Sequence, residues 1–202
     1  MKTPLSPLLL GLAATLLTGC VQSYHPFYTE ACKTDLPELV GYWSKCDKTN
    51  EPLWECRSVQ PGVYHILTHD AGKSSIVSMV TFKMNNILFA DISAPTNFDE
   101  QVKMNGYLAA ALCPLHYLCK LTLAGNTVVA MPLNANWFKA KMDAKEITMP
   151  SLKAEREDQR IVTATTEQWQ EFLIQYGSDT DAFSTAASIM FRKRPGSPPA
   201  GQ

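Results

Sequence analysis

The chain reads as a mainly β protein, an antiparallel up-and-down barrel of about eight strands with a short helix near Trp137 and a C-terminal amphipathic helix. Three observations predict it. Short runs of apolar and polar residues in alternation follow one another from residue 39 to residue 133, clusters of Gly, Pro, Asn and Asp separate them, and one late segment has helical periodicity. Closing the sheet on itself removes the edges that strands otherwise expose to aggregation.

The first strands are expected at 39–46, 53–59, 63–69, 75–84 and 87–92, as a meander. Gln60-Pro61-Gly62, Asp70-Ala71-Gly72 and Asn85-Asn86 supply the turns, and the Asn pair has the two-residue length of a tight hairpin. Ile76, Val80, Phe82 and Met84 fall on one face at even spacing. Segment 95–112 is compatible with a short helix through Val102, Leu108, Ala109 and Leu112. Strands resume at 115–123 and 127–133 around Ala124-Gly125-Asn126. Asn134 has the position of a helix N-cap before Trp137, Phe138 and Met142. Residues 160–164 read as the last strand. Thr165 and Gln168 have capping-box spacing, Trp169, Phe172, Leu173 and Tyr176 make the apolar stripe of the second helix, and Gly177 stands at its end.

The chain starts with Lys2, an apolar run from Leu8 to Leu17, and the small residues Thr18 and Gly19 before Cys20. A span needs roughly 20 apolar residues, so this run is too short to cross a bilayer and has the layout of a removable leader. Leu17-Thr18-Gly19-Cys20 resembles the lipobox of bacterial type II signals. The resemblance implies cleavage between Gly19 and Cys20, lipidation of Cys20 and, because Val21 follows in place of Asp, sorting to the periplasmic side of an outer membrane. Acyl chains on Cys20 then make the membrane a partner, since each buried methylene contributes about 0.8 kcal/mol. The organisation expected is a leader over 1–19, a lipidated tether over 20–32, one domain over 33–191 and a Pro/Gly-rich disordered tail over 192–202.

The 18 basic and 19 acidic residues give a net charge of −1, which becomes −2 when Lys2 leaves with the leader. No basic field for nucleic acid exists in this composition. Cys20 is one of six cysteines, and the other five are Cys32, Cys46, Cys56, Cys113 and Cys119. In an oxidising compartment pairing is the default, and an odd number leaves one over. Cys46 and Cys56 stand symmetrically about Asn50-Glu51-Pro52, so a hairpin centred there brings their thiols together. Cys113 with Cys119 is the next candidate, with Cys32 either free or taking one of them.

Gly41-Tyr42-Trp43 in the first strand resembles the G-x-W opening motif of lipocalins. Lipocalins place an arginine of the last strand over that tryptophan, and the resemblance assigns this barrel-closing role to Arg160 beside Trp43. More broadly, the chain resembles a group of small bacterial lipoproteins with no assigned chemistry. The matching residues are Leu39, Gly41 and Trp43; Phe89 and Asp91; His116 and Lys120; Asn134 and Trp137; and the run from Ile161 to Thr165. This implies a fold and a location, and no reaction.

Cys113-x-x-His116-x-x-Cys119 is the strongest metal-like cluster, because thiolate and imidazole within seven residues can share a soft ion. In a strand, however, His116 faces away from both cysteines. His65 and His69 share a strand face but lie about 13 Å apart, too far to chelate one ion unaided. Asp91 is a carboxylate within the apolar run Leu88-Phe89-Ala90-Asp91-Ile92. No nucleophile elbow, P-loop or zinc-protease signature is present. The expectation is a lipid-anchored envelope protein whose barrel binds a small apolar ligand or docks to another envelope protein, with no assigned catalytic residue, metal or cofactor. The alternative is a metal/redox-binding or hydrolytic envelope protein using Cys113, His116 and Cys119, or Asp91.

Overall fold

A computed structural model describes residues 21–46, 53–70, 73–95, 115–153 and 160–195. The strands are β1 (Gln22–Ser23), β2 (Gly41–Lys45), β3 (Trp54–Gln60), β4 (Val63–Asp70), β5 (Lys73–Met84), β6 (Ile87–Ser93), β7 (His116–Ala124), β8 (Thr127–Pro132), β9 (Ser151–Lys153), β10 (Arg160–Val162) and β11 (Ile189–Arg194). The helices are α1 (Ala135–Asp143) and α2 (Thr166–Tyr176). From β2 to β8 each strand pairs antiparallel with the next, and β11 returns between β8 and β2 to close the sheet. The result is a lipocalin-like barrel of eight antiparallel strands with minor α content.

The alternation that predicts strands also sorts side chains. Trp43, Cys56, Tyr64, Met79, Ala90, Cys119, Leu121 and Val128 form one buried cluster contributed by strands around the barrel, which is its interior. The opposite faces of β5 to β8 contribute Phe82, Phe89, Leu118 and Met131 to a second cluster outside the barrel. There they meet Phe138 of α1 and Trp169, Phe172 and Leu173 of α2. Trp169 stacks on Phe138 with ring centroids 5.7 Å apart and meets the edge of Phe27 at 4.7 Å.

Local signals behave as chemistry dictates. Asn85 and Asn86 both adopt positive φ, 52° and 62°, the conformation a tight β5–β6 hairpin demands. Thr165 and Gln168 complete a reciprocal capping box, and the Asn134 side chain accepts from the amides of Asn136 and Trp137. Gly177 ends α2 where a Cβ would lie 2.5 Å from the Leu173 carbonyl oxygen and 3.0 Å from Phe89.

Four expectations need correction. The expected tether is part of the body: Val21 is 7 % exposed, Ser23 and Phe27 are fully buried, and β1 pairs with both β7 and β10. Residues 192–194 are not tail but the end of β11, paired with β2, because the barrel needs an eighth strand to satisfy the facing edges of β8 and β2. The strand at 160–162 is not a barrel strand; it runs parallel to β1 and antiparallel to β9 in a small sheet appended to β7. Finally, the β2–β3 register sets Gly41 opposite Cys56 and Trp43 opposite Trp54, so the hairpin is not centred on Glu51. Cys46 and Cys56 therefore stand about five residues, or roughly 17 Å, out of register and are both thiols. Cys20, Cys113 and the proposed helix within 95–112 fall outside the described residues, apart from the residue at 95 itself.

Candidate functional site

The barrel has two unlike ends. The tight turns at Pro61-Gly62, Asn85-Asn86 and Gly125-Asn126 share one end, and the segment before β2 plugs it. Leu36 and Leu39 sit in the interior cluster, and the backbone amide of Leu36 donates to the Tyr64 hydroxyl at 2.7 Å. That hydroxyl donates in turn to Asp35 at 2.8 Å, and Asp35 also accepts from the amide of Gly62 at 3.1 Å. The amide of Gly62, the Tyr64 hydroxyl and the Leu36 amide hold the Asp35 carboxyl below its ordinary range. Burial, helped by Asp35, pushes the Tyr64 phenol up to about 12.

Trp43 lies at the same end. Its indole N–H donates to the Leu39 carbonyl at 2.8 Å, and the Lys193 ammonium lies 5.5 Å from its ring centroid. Lys193 pairs in register with Trp43 and donates to the Glu38 carbonyl at 2.7 Å. The glycine of the G-x-W motif now has a reason: Gly41 has φ +132°, and a Cβ there would approach Lys193 Cε to 3.1 Å. The closing cation is therefore Lys193, not Arg160, because β11 and not β10 is the last barrel strand. Arg160 instead reaches Asp143 at the end of α1, at 3.0 Å.

At the other end of the barrel the interior side chains Trp54, Ile66, Ile92 and Phe191 are half-buried and pack on the interior cluster. This is the mouth. Trp54 meets Phe191 at 5.1 Å between centroids, with the Lys45 ammonium 5.7 Å from the Trp54 ring. The Trp54 indole nitrogen is shielded from solvent and has no hydrogen-bond partner among the described residues. Every other buried indole donor finds one, as Trp43 does at Leu39 and Trp169 at Ser23 Oγ, 2.8 Å. Nothing in the sequence marks Trp54, because Trp54-x-Cys56 has the alternation of any half-buried strand.

A third cluster lies on the outer face. Asp91 is 1 % exposed and holds His116 Nδ1 at 2.8 Å through one oxygen, while the other accepts the backbone amide of Phe27 at 3.0 Å. Ser23 sits opposite His116 in the β1–β7 register, but its hydroxyl donates to the His25 carbonyl and accepts from Trp169. A serine so engaged and fully buried ties chain segments together; it is not placed to attack a substrate. Asp91 also helps burial push the Tyr28 phenol up to about 12.

The metal-like motif does not converge. His116 points to the outer cluster, whereas Cys119 belongs to the barrel interior, and Cys113 is outside the described residues. Among the described residues no group of three or more His, Cys, Asp or Glu side chains is arranged to hold a metal ion. Burial pushes the Cys56 thiol up to about 12, so it is protonated and inert at neutral pH. No protein-family model, no curated protein and no solved structure matches this chain.

Proposed function

We propose that the chain is a bacterial lipoprotein, held by an acylated Cys20 on the periplasmic side of the outer membrane, whose barrel binds a small apolar ligand without catalysis. One observation carries the binding half: the Trp54 indole N–H, buried without a partner among the described residues at a mouth lined by Ile66, Ile92 and Phe191. A buried donor left unsatisfied costs about 1–3 kcal/mol, which a ligand's acceptor atom would recover. The ligand is thus an apolar molecule with one carbonyl, ether or carboxylate oxygen placed at the mouth. The packed interior cluster beneath the mouth gives such a ligand a floor. The engagement of Asp91, His116 and Ser23 in structural hydrogen bonds supports a binding role over a hydrolytic one.

Native mass spectrometry of the purified acylated protein tests this reading. A retained small molecule of defined mass, lost or weakened about tenfold in Trp54→Phe at unchanged thermal stability, is the expected result. A clean apo mass under gentle conditions, for wild type purified directly from its membrane, refutes ligand binding and leaves docking to an envelope protein as the role.

A further inference from the structure

The small sheet appended to β7 has two very different faces. On one, Ser23 and Val162 are fully buried against the outer core. On the other, the β-pairings set Tyr117, Gln22, Ile161 and Leu152 in a single row across four strands. The Gln22 side chain donates to the Tyr117 hydroxyl at 3.1 Å, confirming that these neighbours share that face. Leu152 is 63 % exposed and Ile161 is half-buried. Tyr24, next to Ser23 where the chain turns out of β1, is 52 % exposed, and its amide continues the ladder to the Val162 carbonyl at 2.9 Å. An aliphatic wedge beside an aromatic ring with a polar tip is the pairing that suits a membrane–water interface.

What covers this face follows from where the chain comes from. Val21 is built into the core, and Phe27 and Ser23 are pinned by Asp91 and Trp169. One Cα step of about 3.8 Å separates Val21 from Cys20, so an acylated Cys20 has no slack with which to hold the body away from its bilayer. Leu152 lies two strands from Gln22, about 10 Å across the sheet. The geometry points to a docking surface, formed by Tyr24, Ile161 and Leu152, that rests against the phospholipid bilayer holding the anchor. This inference depends on the acylation of Cys20 proposed above, and it replaces a tethered module with one seated on the membrane. The row also runs inward, since Tyr117 pairs in register with Ile92 at the barrel mouth. The mouth therefore adjoins the lipid surface, which makes the bilayer the nearest source of an apolar ligand.

The test uses the full chain, expressed with its leader, purified as the mature protein and reconstituted into vesicles of phosphatidylethanolamine and phosphatidylglycerol. A fraction of the phospholipid carries a photoactivatable diazirine in its acyl chain, and cross-links are mapped by peptide mass spectrometry. Cross-links should concentrate on Tyr24, Leu152 and Ile161. They should fall severalfold in both Leu152→Asp and Tyr24→Ser, while the acyl mass, vesicle flotation and melting temperature stay at wild-type values. A correctly acylated protein that floats with vesicles but is labelled elsewhere, or equally in the variants, overturns the docking surface alone. An intact mass without acyl groups removes the anchor itself and overturns both readings, a result distinguishable by that mass.

Discussion

Replacing Asp91 by Ala should be among the most damaging single changes in this protein, and the reason is local. The carboxylate is 1 % exposed and its two oxygens have different duties, one on His116 Nδ1 at 2.8 Å and one on the Phe27 amide at 3.0 Å. Deleting it leaves an imidazole and a buried backbone N–H without their acceptor and opens a space beside Phe27. Leaving a buried donor without its acceptor costs about 1–3 kcal/mol, so the two together cost about 2–6 kcal/mol. That is a large part of the roughly 5–15 kcal/mol by which a domain is stable. With an m-value of about 2 kcal/mol/M, the urea midpoint should fall by about 1–3 M. Asp91→Asn, which keeps an acceptor for Phe27 but no charge for His116, should fall between this variant and wild type. Amide exchange adds a second readout, because the Phe27 N–H should exchange faster in the Ala variant even under native conditions. A midpoint shift below about 0.3 M, less than 1 kcal/mol at that m-value, would falsify the assignment of this pair as the tie between β1, the following segment and the barrel.

Three further predictions follow from the same geometry. Lys193→Met removes a cation from the Trp43 ring and a donor from the Glu38 carbonyl, and should lower stability by about 1–3 kcal/mol in thermal denaturation; Arg160→Ala, which breaks a partly exposed pair with Asp143, should cost under about 1 kcal/mol, and the reverse ranking would sink the closure by β11. Ellman's reagent on the native protein should modify exposed Cys46 and spare Cys56 until the protein unfolds, and a Cys46–Cys56 linked peptide under non-reducing digestion would contradict the β2–β3 register. Because Asp35 has a lowered folded-state pKa, its contribution is present above the ordinary carboxylate pKa of about 3.9 and lost as pH falls through the folded value; urea midpoints between about pH 5 and pH 3 should therefore drop less steeply in Asp35→Asn than in wild type.

The strands from β2 to β8 were legible because each satisfies a local rule: alternation within the run and a turn residue at its end. Asn85-Asn86 and the capping box of α2 are rules of the same short range, and the structure follows them. What escaped the sequence is long-range. Val21 to Phe27 reads as an aromatic tether because its burial depends on Asp91, 64 residues away from Phe27, and on Trp169, 146 residues away from Ser23. The Cys46–Cys56 pairing failed for a related reason, since symmetry about Glu51 assumes a register that the packing of Trp43 beside Trp54 overrides. Asp91 carried a visible signal, a carboxylate inside an apolar strand, but nothing adjacent to it in sequence showed which groups it would hold.

The last barrel strand shows why closure is the hardest part of such a fold to read. The chain leaves the barrel at Pro132 and re-enters only at Ile189, and the excursion between them builds α1, β9, β10 and α2 against the outer face. In isolation Arg192, Lys193 and Arg194 before a proline look like the start of a solvated tail. Paired between β8 and β2, the same residues divide by side of the sheet: Phe191 packs toward the mouth and Lys193 toward Trp43 at the plugged end, while the Arg194 guanidinium donates to Ser44 Oγ at 2.7 Å. The cations are thus selected by what the barrel's end offers them, an indole face, a carbonyl and a hydroxyl, none of which is near them in sequence. Because the excursion packs its aromatic residues outside, the second core is built apart from the first. The interior side chains at the mouth are left half-buried, and it is there that the Trp54 donor stands without a partner among the described residues.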